Sequence, residues 1–313
     1  KKKIPVDFPF SIRTSELNAG DWANVFNLDP MQPIGILIER VISEFQDSGK
    51  AYSIEDVIGR IKKEGKIEIH VRDAAINLFE ATKSWGLFSE MGTEIKDLIT
   101  PGRVSVLDVS CYSNLSGNWG IKNLVVGLIC KKLLIERMAA RKFEEIHTIE
   151  SGESYFGFGS KKREKDDMPL VWLMLDEAHE FLPKDEKTAA SDSLIQLLRE
   201  GRQPGISMIL ATQQPGEIHK DVITQSDIVV SHRVTARKDI TALNDMMQTY
   251  LLSDIQTYIN NLPRLKGSAI ILDDNSERIF PMNVRPRFTW HGGEAPTAVK
   301  GEGKLVEELN FEI

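Results

Sequence analysis

The chain has 313 residues, 41% of them hydrophobic and 27% charged, which is enough to bury one large or two modest cores. A formal net charge of −7 excludes a protein that coats nucleic acid by bulk charge, so any such contact must come from locally placed basic residues. The two cysteines, Cys111 and Cys130, lie in apolar surroundings without CxxC spacing, which predicts buried free thiols in a reducing, cytoplasmic setting rather than a disulfide or a zinc site.

No apolar run approaches the roughly 20 residues that a bilayer span requires, so no membrane span is expected. The chain opens Lys1-Lys2-Lys3-Ile4-Pro5, without Met and without an apolar signal region, and reads as the interior of a longer polypeptide. Residues 4–12 read as a short strand broken by Pro5 and Pro9, and Ser15 is a candidate cap for the helix that follows. From Pro33 to Ile99 the pattern is helical. Ile34, Leu37, Ile38, Val41, Ile42 and Phe45 fall at three-four spacing, Ser53 is placed as an N-cap, and residues 74–85 continue the periodicity. Lys62, Lys63 and Lys66 read as a solvated face.

Pro101-Gly102 ends the helices, and residues 104–109 (VSVLDV) have the β-branched composition of a buried strand. A polar loop at 113–120 leads into a long helix over 121–143 with Ile121, Leu124, Val125, Leu128 and Leu133 on its apolar face. A mixed-charge excursion at 157–167 precedes residues 171–175 (VWLML), too short for a helix and bounded as a fully buried central strand. Such a strand delivers Asp176 and Glu177 to its carboxyl end, where ligands bind in open α/β sheets. A helix over 191–200, with Leu194, Leu197 and Leu198 on one face, is closed by Gly201. The next buried strand, 206–211, ends in the polar cluster Thr212-Gln213-Gln214. Apolar stretches at 228–234 and 268–272 flank helices near 239–247 and 253–260. Strand alternating with helix predicts an α/β fold with a mainly parallel, doubly covered sheet and an all-helical insertion.

Three motifs occur in order within one short region: DEAHEF from Asp176, LLREGRQPG from Leu197 and ILATQQPGE from Ile209. Together they resemble the HerA family of hexameric ATPases, relatives of the FtsK DNA translocases, with a RecA-like core. The resemblance runs from about residue 4 to 287 and is best over 171–237. It implies Asp176 as the Mg²⁺-directing acid, Glu177 as the catalytic base, Gln213 as the residue that senses the γ-phosphate, and Arg202 as an arginine finger, with Arg199 a second candidate. Thr212, in the same polar cluster, is a further expected nucleotide contact. The ligands implied are ATP and Mg²⁺, and the assembly implied is a homo-hexamer with double-stranded DNA in its pore and a nuclease partner, NurA-like or a defence effector. The loops at 113–120 and 183–191 are the expected DNA path, with Asn118, Lys184 and Lys187 as contacts. The corresponding organisation is the start of an ATPase core at 1–29, a helical insertion at 30–100, the RecA-like core with its Walker B strand at 101–287, and a tail at 288–313.

The sequence departs from this family at the P-loop. No G-x-x-x-x-G-K-[ST] occurs; the nearest run, from Ala298 through Lys304, is followed by Leu305 and has no strand before it. The family carries its P-loop, and a small β-barrel before that, ahead of the point where this sequence begins. Two alternatives share some of these features. Asp176-Glu177-Ala178-His179 spells the DEAH box of a superfamily-two helicase, but the Q-R-x-G-R-like motif of a second domain is missing after Gln214, which makes His179 a loop or packing residue. A ring scaffold without ATPase activity would have no need of Asp176, Glu177, Arg202 and Gln213 together. The remaining histidines show no paired ligand spacing, which excludes a zinc hydrolase of the HExxH kind.

Overall fold

A computed structural model describes residues 6–114, 120–150, 168–247, 255–276 and 278–289. Contacts divide the chain into two units, Lys1–Asp227 with Thr235–Ile255, and Ile228–Val234 with Gln256–Ile313.

The first unit begins with α1 (Ala19–Phe26), α2 (Pro33–Asp47), α3 (Ile54–Lys62), α4 (Ile69–Lys83) and the single turn α5 (Ile95–Leu98). Ser15 lies in a 3₁₀ turn, and the cap of α1 is Asn18. Its Oδ1 accepts the Asp21 N–H at 2.8 Å while Asp21 accepts the Asn18 N–H at 2.9 Å, a reciprocal box that outcompetes a lone serine. Ser53 caps α3 as the sequence predicts, again with an aspartate, Asp56, three residues on. The helices bury a common core of Trp22, Phe26, Leu37, Ile38, Val41, Ile61 and Phe79, in which Trp22 meets Phe79 edge-on at 4.9 Å. Of the strand expected at 4–12, the described residues 6–12 keep one bridge, Ile12 with Phe88, and Pro9 removes a donor that a longer ladder would need.

The long helix α6 (Ile121–Glu150) joins this core to a second one. Ile121, Leu124, Val125 and Leu128 pack into the helical core, whereas Val126, Cys130, Leu133 and Leu134 pack with Leu194 and Leu197 of α7 (Ser191–Glu200). Gly127 permits the crossing: a Cβ there would lie 2.5 Å from the Ala189 carbonyl oxygen. Against the second core lie β1 (Val171–Leu175) and β2 (Ile206–Leu210), paired in parallel from Val171↔Ile206 to Leu175↔Leu210. The described chain is therefore a mixed helix and strand fold with a parallel pair backed by helices.

Two expectations about strands change. Val171, Leu173 and Leu175 face the core, but Trp172 and Met174 on the opposite face are 65% and 67% exposed, so β1 is buried on one side only among the described residues. Residues 104–109 form no strand, and Val104 and Val106 are 90% and 87% exposed. A strand needs a partner for its backbone groups, and no described strand lies beside this one, so β-branched composition alone does not form it. Cys111 is likewise exposed rather than buried, while Cys130 is buried in α6. The unit closes with α8 (Lys220–Thr224) and α9 (Arg237–Met247).

The second unit contains α10 (Ile255–Asn261) and an antiparallel sheet in the order β3 (Ile228–His232), β4 (Ser268–Asp273), β5 (Arg278–Asn283). The strands expected at 228–234 and 268–272 are present, but pair antiparallel. A connection of four residues between β4 and β5 is a hairpin, far below the dozen or so that a parallel crossover requires, and Pro281 lies in the outer strand, where a missing donor is tolerated.

Candidate functional site

The parallel register brings the carboxyl ends of β1 and β2 level, so the polar residues that follow each strand meet. The Ala211 N–H donates to the Leu175 carbonyl at 2.9 Å and the Ala178 N–H returns to the Ala211 carbonyl at 2.9 Å. Between those two anchors the chain must turn sharply, and Glu177 does so at φ 49°, ψ 47°, in the left-handed region that a non-glycine residue enters at a cost of about 1–2 kcal/mol. Strain held in place by flanking ladder bonds fixes where the Glu177 side chain leaves the backbone. Asp176 is exposed beside it and accepts the Glu177 N–H at 3.0 Å.

The side chains then form one network. Gln213 Nε2 donates to Glu177 Oε1 at 2.6 Å. Glu177 Oε2 is buried and makes no hydrogen bond among the described residues. His179 stands next to it with Nδ1 3.5 Å from Oε2, 3.0 Å from Thr212 Oγ1, and Nε2 3.3 Å from Gln214 Nε2. Asp176, Glu177, Thr212 and Gln213 were all expected at this place, and the structure brings them together. Gln214 was expected only as part of the polar cluster after β2, and His179 only as a loop or packing residue; the parallel pairing of β1 with β2 is what puts His179 against Thr212. A carboxylate set by a strained turn at the carboxyl ends of two parallel strands, next to an exposed second carboxylate, can accept a proton from a water that reaches it. Among the described residues no cluster of three or more His, Cys, Asp or Glu could cage a metal. A lone exposed carboxylate fits Mg²⁺ that arrives with phosphates, since that ion keeps most of its ligands as water and substrate oxygens.

Arg202 lies in the turn between α7 and β2. Gly201, the C-cap of α7, has its N–H on the Leu197 carbonyl at 2.9 Å, and Gly205 takes φ +84° before the chain enters β2. The turn is held from below by Arg137 of α6, which is fully buried. Its Nε donates to the Pro204 carbonyl at 2.8 Å and its Nη1 to the Met168 carbonyl at 2.6 Å, with Glu144 at 3.2 Å. Arg202 itself is exposed and makes no ion pair among the described residues, on a cleft of about 710 Å³ that also receives Arg141, Lys142 and Arg199. Arg199 differs: its Nη2 lies 2.5 Å from Oδ2 of Asp221, a buried carboxylate on α8, a close ion pair without hydrogen-bond geometry that draws this partly exposed guanidinium toward α8. Sequence spacing could not separate the two arginines; the ion pair does.

Of the basic residues expected on the DNA path, Lys187 is less free than the sequence suggests. Lys187 pairs with Asp192 at 2.9 Å. Lys184 is exposed, and its N–H donates to the Glu217 carbonyl at 2.8 Å. The Glu217 carboxylate is held below its usual range, first by the hydrogen bond from Lys238. Asn118, the excursion at 157–167 and the run from Ala298 through Lys304 lie outside the described residues. No described helix is long and apolar enough to cross a membrane.

The family model Zonular occludens toxin (Zot) matches residues 132–257, a span that contains every candidate residue except Asn118. A probable DNA double-strand break repair helicase HerA from Methanocaldococcus jannaschii is 30% identical over 127 residues, 36% of this chain and 24% of that protein. The chain is Zot/HerA-like, with residues 132–257 matched by the family model. The DNA double-strand break repair helicase HerA of Pyrococcus furiosus is 23% identical over 180 residues, 56% of this chain and 32% of its own length. The chain thus spans about a quarter to a third of the curated HerA proteins it matches. Among solved structures, the genome packaging NTPase B204 of Sulfolobus turreted icosahedral virus 2, in complex with sulfate, aligns with a TM-score of 0.38 at 16% identity. That alignment covers 61% of this chain and 71% of the other. The span matched by the family model has its acidic pair at the end of β1 and its polar cluster at the end of β2.

Proposed function

We propose that this chain is part of an ATP-driven DNA translocase or helicase subunit of HerA type. The observation that carries the reading is the Glu177 carboxylate, set by a strained turn at the carboxyl ends of two parallel strands and held by Gln213 through one oxygen, beside Asp176. Asp176 would direct Mg²⁺, and Thr212 would contact the nucleotide. The ion, when bound, would neutralise charge on the phosphates. Glu177 would take a proton from the attacking water as that oxygen bonds to the γ-phosphorus and the bond to the β,γ-bridging oxygen breaks, with ADP leaving. Gln213 would report the γ-phosphate to the base it holds. Arg202 would complete the site of the adjacent copy in a homo-hexamer, a role suited to its exposed guanidinium, which has no ion pair among the described residues, whereas Arg199 lies against Asp221.

In this reading residues 30–100 are a helical insertion in a RecA-like core that starts at 1–29 and continues over 101–287, ahead of a tail at 288–313. Double-stranded DNA would pass through the ring along the 113–120 and 183–191 loops, with Asn118, Lys184 and Lys187 as phosphate contacts. A cytoplasmic nuclease, NurA-like or a defence effector, would act on the DNA delivered. Since no P-loop occurs in these 313 residues, the chain alone should have no significant ATPase activity while the complete gene product does. In the complete gene product, Glu177→Gln should keep nucleotide binding and lose most hydrolysis, because an amide cannot take the proton. Robust turnover by the 313-residue chain, or by Glu177→Gln, would overturn the assignment.

A further inference from the structure

His179 has no part in the chemistry described above, yet its ring is the only side chain linking the free oxygen of Glu177 to the loop after β2 among the described residues. The geometry points to His179 as a positioning residue that couples the base to Thr212 and Gln214, an inference that rests on Glu177 acting as the base. Glu177 has two oxygens, and the loop at 211–214 governs both. Gln213 holds Oε1 directly at 2.6 Å. Oε2 is reached through the imidazole, whose Nδ1 lies 3.5 Å away and 3.0 Å from Thr212 Oγ1.

The ring is fixed from the other side as well. Gln214 Nε2 lies 3.3 Å from His179 Nε2, and the Gln214 N–H donates to Thr212 Oγ1 at 3.0 Å, so Thr212, Gln214 and His179 close a small cycle of polar contacts. With the Gln214 amide donating, Nε2 carries a lone pair and the imidazole proton sits on Nδ1, aimed at Thr212 and Oε2. At 3.5 Å the Nδ1–H makes no hydrogen bond to Oε2; the ring walls that oxygen in and opposes rotation of the carboxylate. His179 is half-buried, in a 3₁₀ turn that starts from the strained Glu177, so backbone and ring constrain the same carboxylate. A displacement of residues 212–214 would therefore shift Oε1 and Oε2 together, and a base misplaced by about 1 Å loses on the order of 10²-fold in rate.

The test uses the complete gene product with three substitutions read against Glu177→Gln. His179→Phe keeps a ring of similar size and removes both nitrogens. His179→Asn is smaller, but its amide N–H takes the place of Nδ1–H. If His179 positions the base, kcat should fall at least about tenfold in His179→Phe with the affinity for a fluorescent ATP analogue within about twofold of the parent, and His179→Asn should recover to within about threefold. A ring that only fills space predicts the reverse order. Thr212→Val, which removes the hydroxyl at nearly constant volume, should lower kcat in the same sense. Any pattern in which the asparagine variant does not outperform the phenylalanine variant overturns the coupling role. Retained turnover in Glu177→Gln would instead remove the base assignment beneath it, which separates the two failures.

Discussion

Replacing Arg137 with methionine tests whether the turn that carries Arg202 is held by a buried guanidinium. Methionine matches the aliphatic stem, so the change removes the charged fork and little volume. Two backbone carbonyls, Pro204 at 2.8 Å and Met168 at 2.6 Å, lose a charge-assisted donor worth about 1.5–3 kcal/mol each, roughly 3–6 kcal/mol in all. Against that, the variant no longer buries a cation whose Nη2 has no hydrogen bond among the described residues, a relief of about 1–2 kcal/mol. Glu144 is one-third exposed and can turn to water, so it adds little. The net is a loss of about 2–4 kcal/mol, or roughly 4–16 °C in Tm for a domain of this size. Arg141→Met is the control, since Arg141 makes only exposed pairs with Glu144 and Glu145, of at most about 1 kcal/mol. Thermal melts followed by circular dichroism would decide. A midpoint for Arg137→Met no lower than that of Arg141→Met would refute the clamp.

Burial pushes the Cys130 thiol up to about 12 while Cys111 is exposed, so a disulfide thiol reagent should titrate one thiol in the native protein and two after denaturation; two native thiols would contradict the packing of α6. The Asp56 carboxyl is held below its usual range, first by the Ser53 N–H and then by the Ser53 hydroxyl, so its contribution is complete above about pH 4 and is lost as pH falls through the lowered folded value. Asp56→Asn should therefore show a shallower loss of Tm below about pH 4 than the parent, and an unchanged acid limb would count against the capping box. Lys184→Ala/Lys187→Ala in the complete gene product should reduce the slope of log affinity against log salt for duplex DNA by about 1.8, at roughly 0.9 per phosphate contact. No change in slope would remove these lysines from the DNA path.

The sequence was most legible where local rules act alone. Helices α2, α3, α6 and α7, the caps at Ser53 and Gly201, and the bounds of β1 follow from periodicity and from Pro and Gly punctuation, and each is found within a few residues of its expected place. Burial was less legible, because it depends on what lies across a face. Trp172 and Met174 alternate with core residues, yet face outward, and VSVLDV stays unpaired without a neighbouring strand. The candidate site was legible as residue types, since carboxylates and amides at strand ends announce themselves. Its connections were hidden: the contact of His179 with Thr212 spans 33 residues, and the pairing of Arg199 with Asp221 depends on where α8 lies against α7.

The central claim is an ATP site completed between copies, with Glu177 as base and Arg202 supplied by the neighbour. Complete gene products carrying Arg202→Ala and Glu177→Gln, each inactive by itself, should be mixed, their co-assembly verified, and ATP turnover measured. An arginine finger is worth roughly 10³ to 10⁵ in turnover, so even a minority of interfaces that pair an intact Glu177 with an intact Arg202 should lift hydrolysis well above either variant alone. Recovered turnover in mixed rings is the predicted result. No recovery in demonstrably mixed rings, or near-normal turnover by Arg202→Ala alone, would contradict the account.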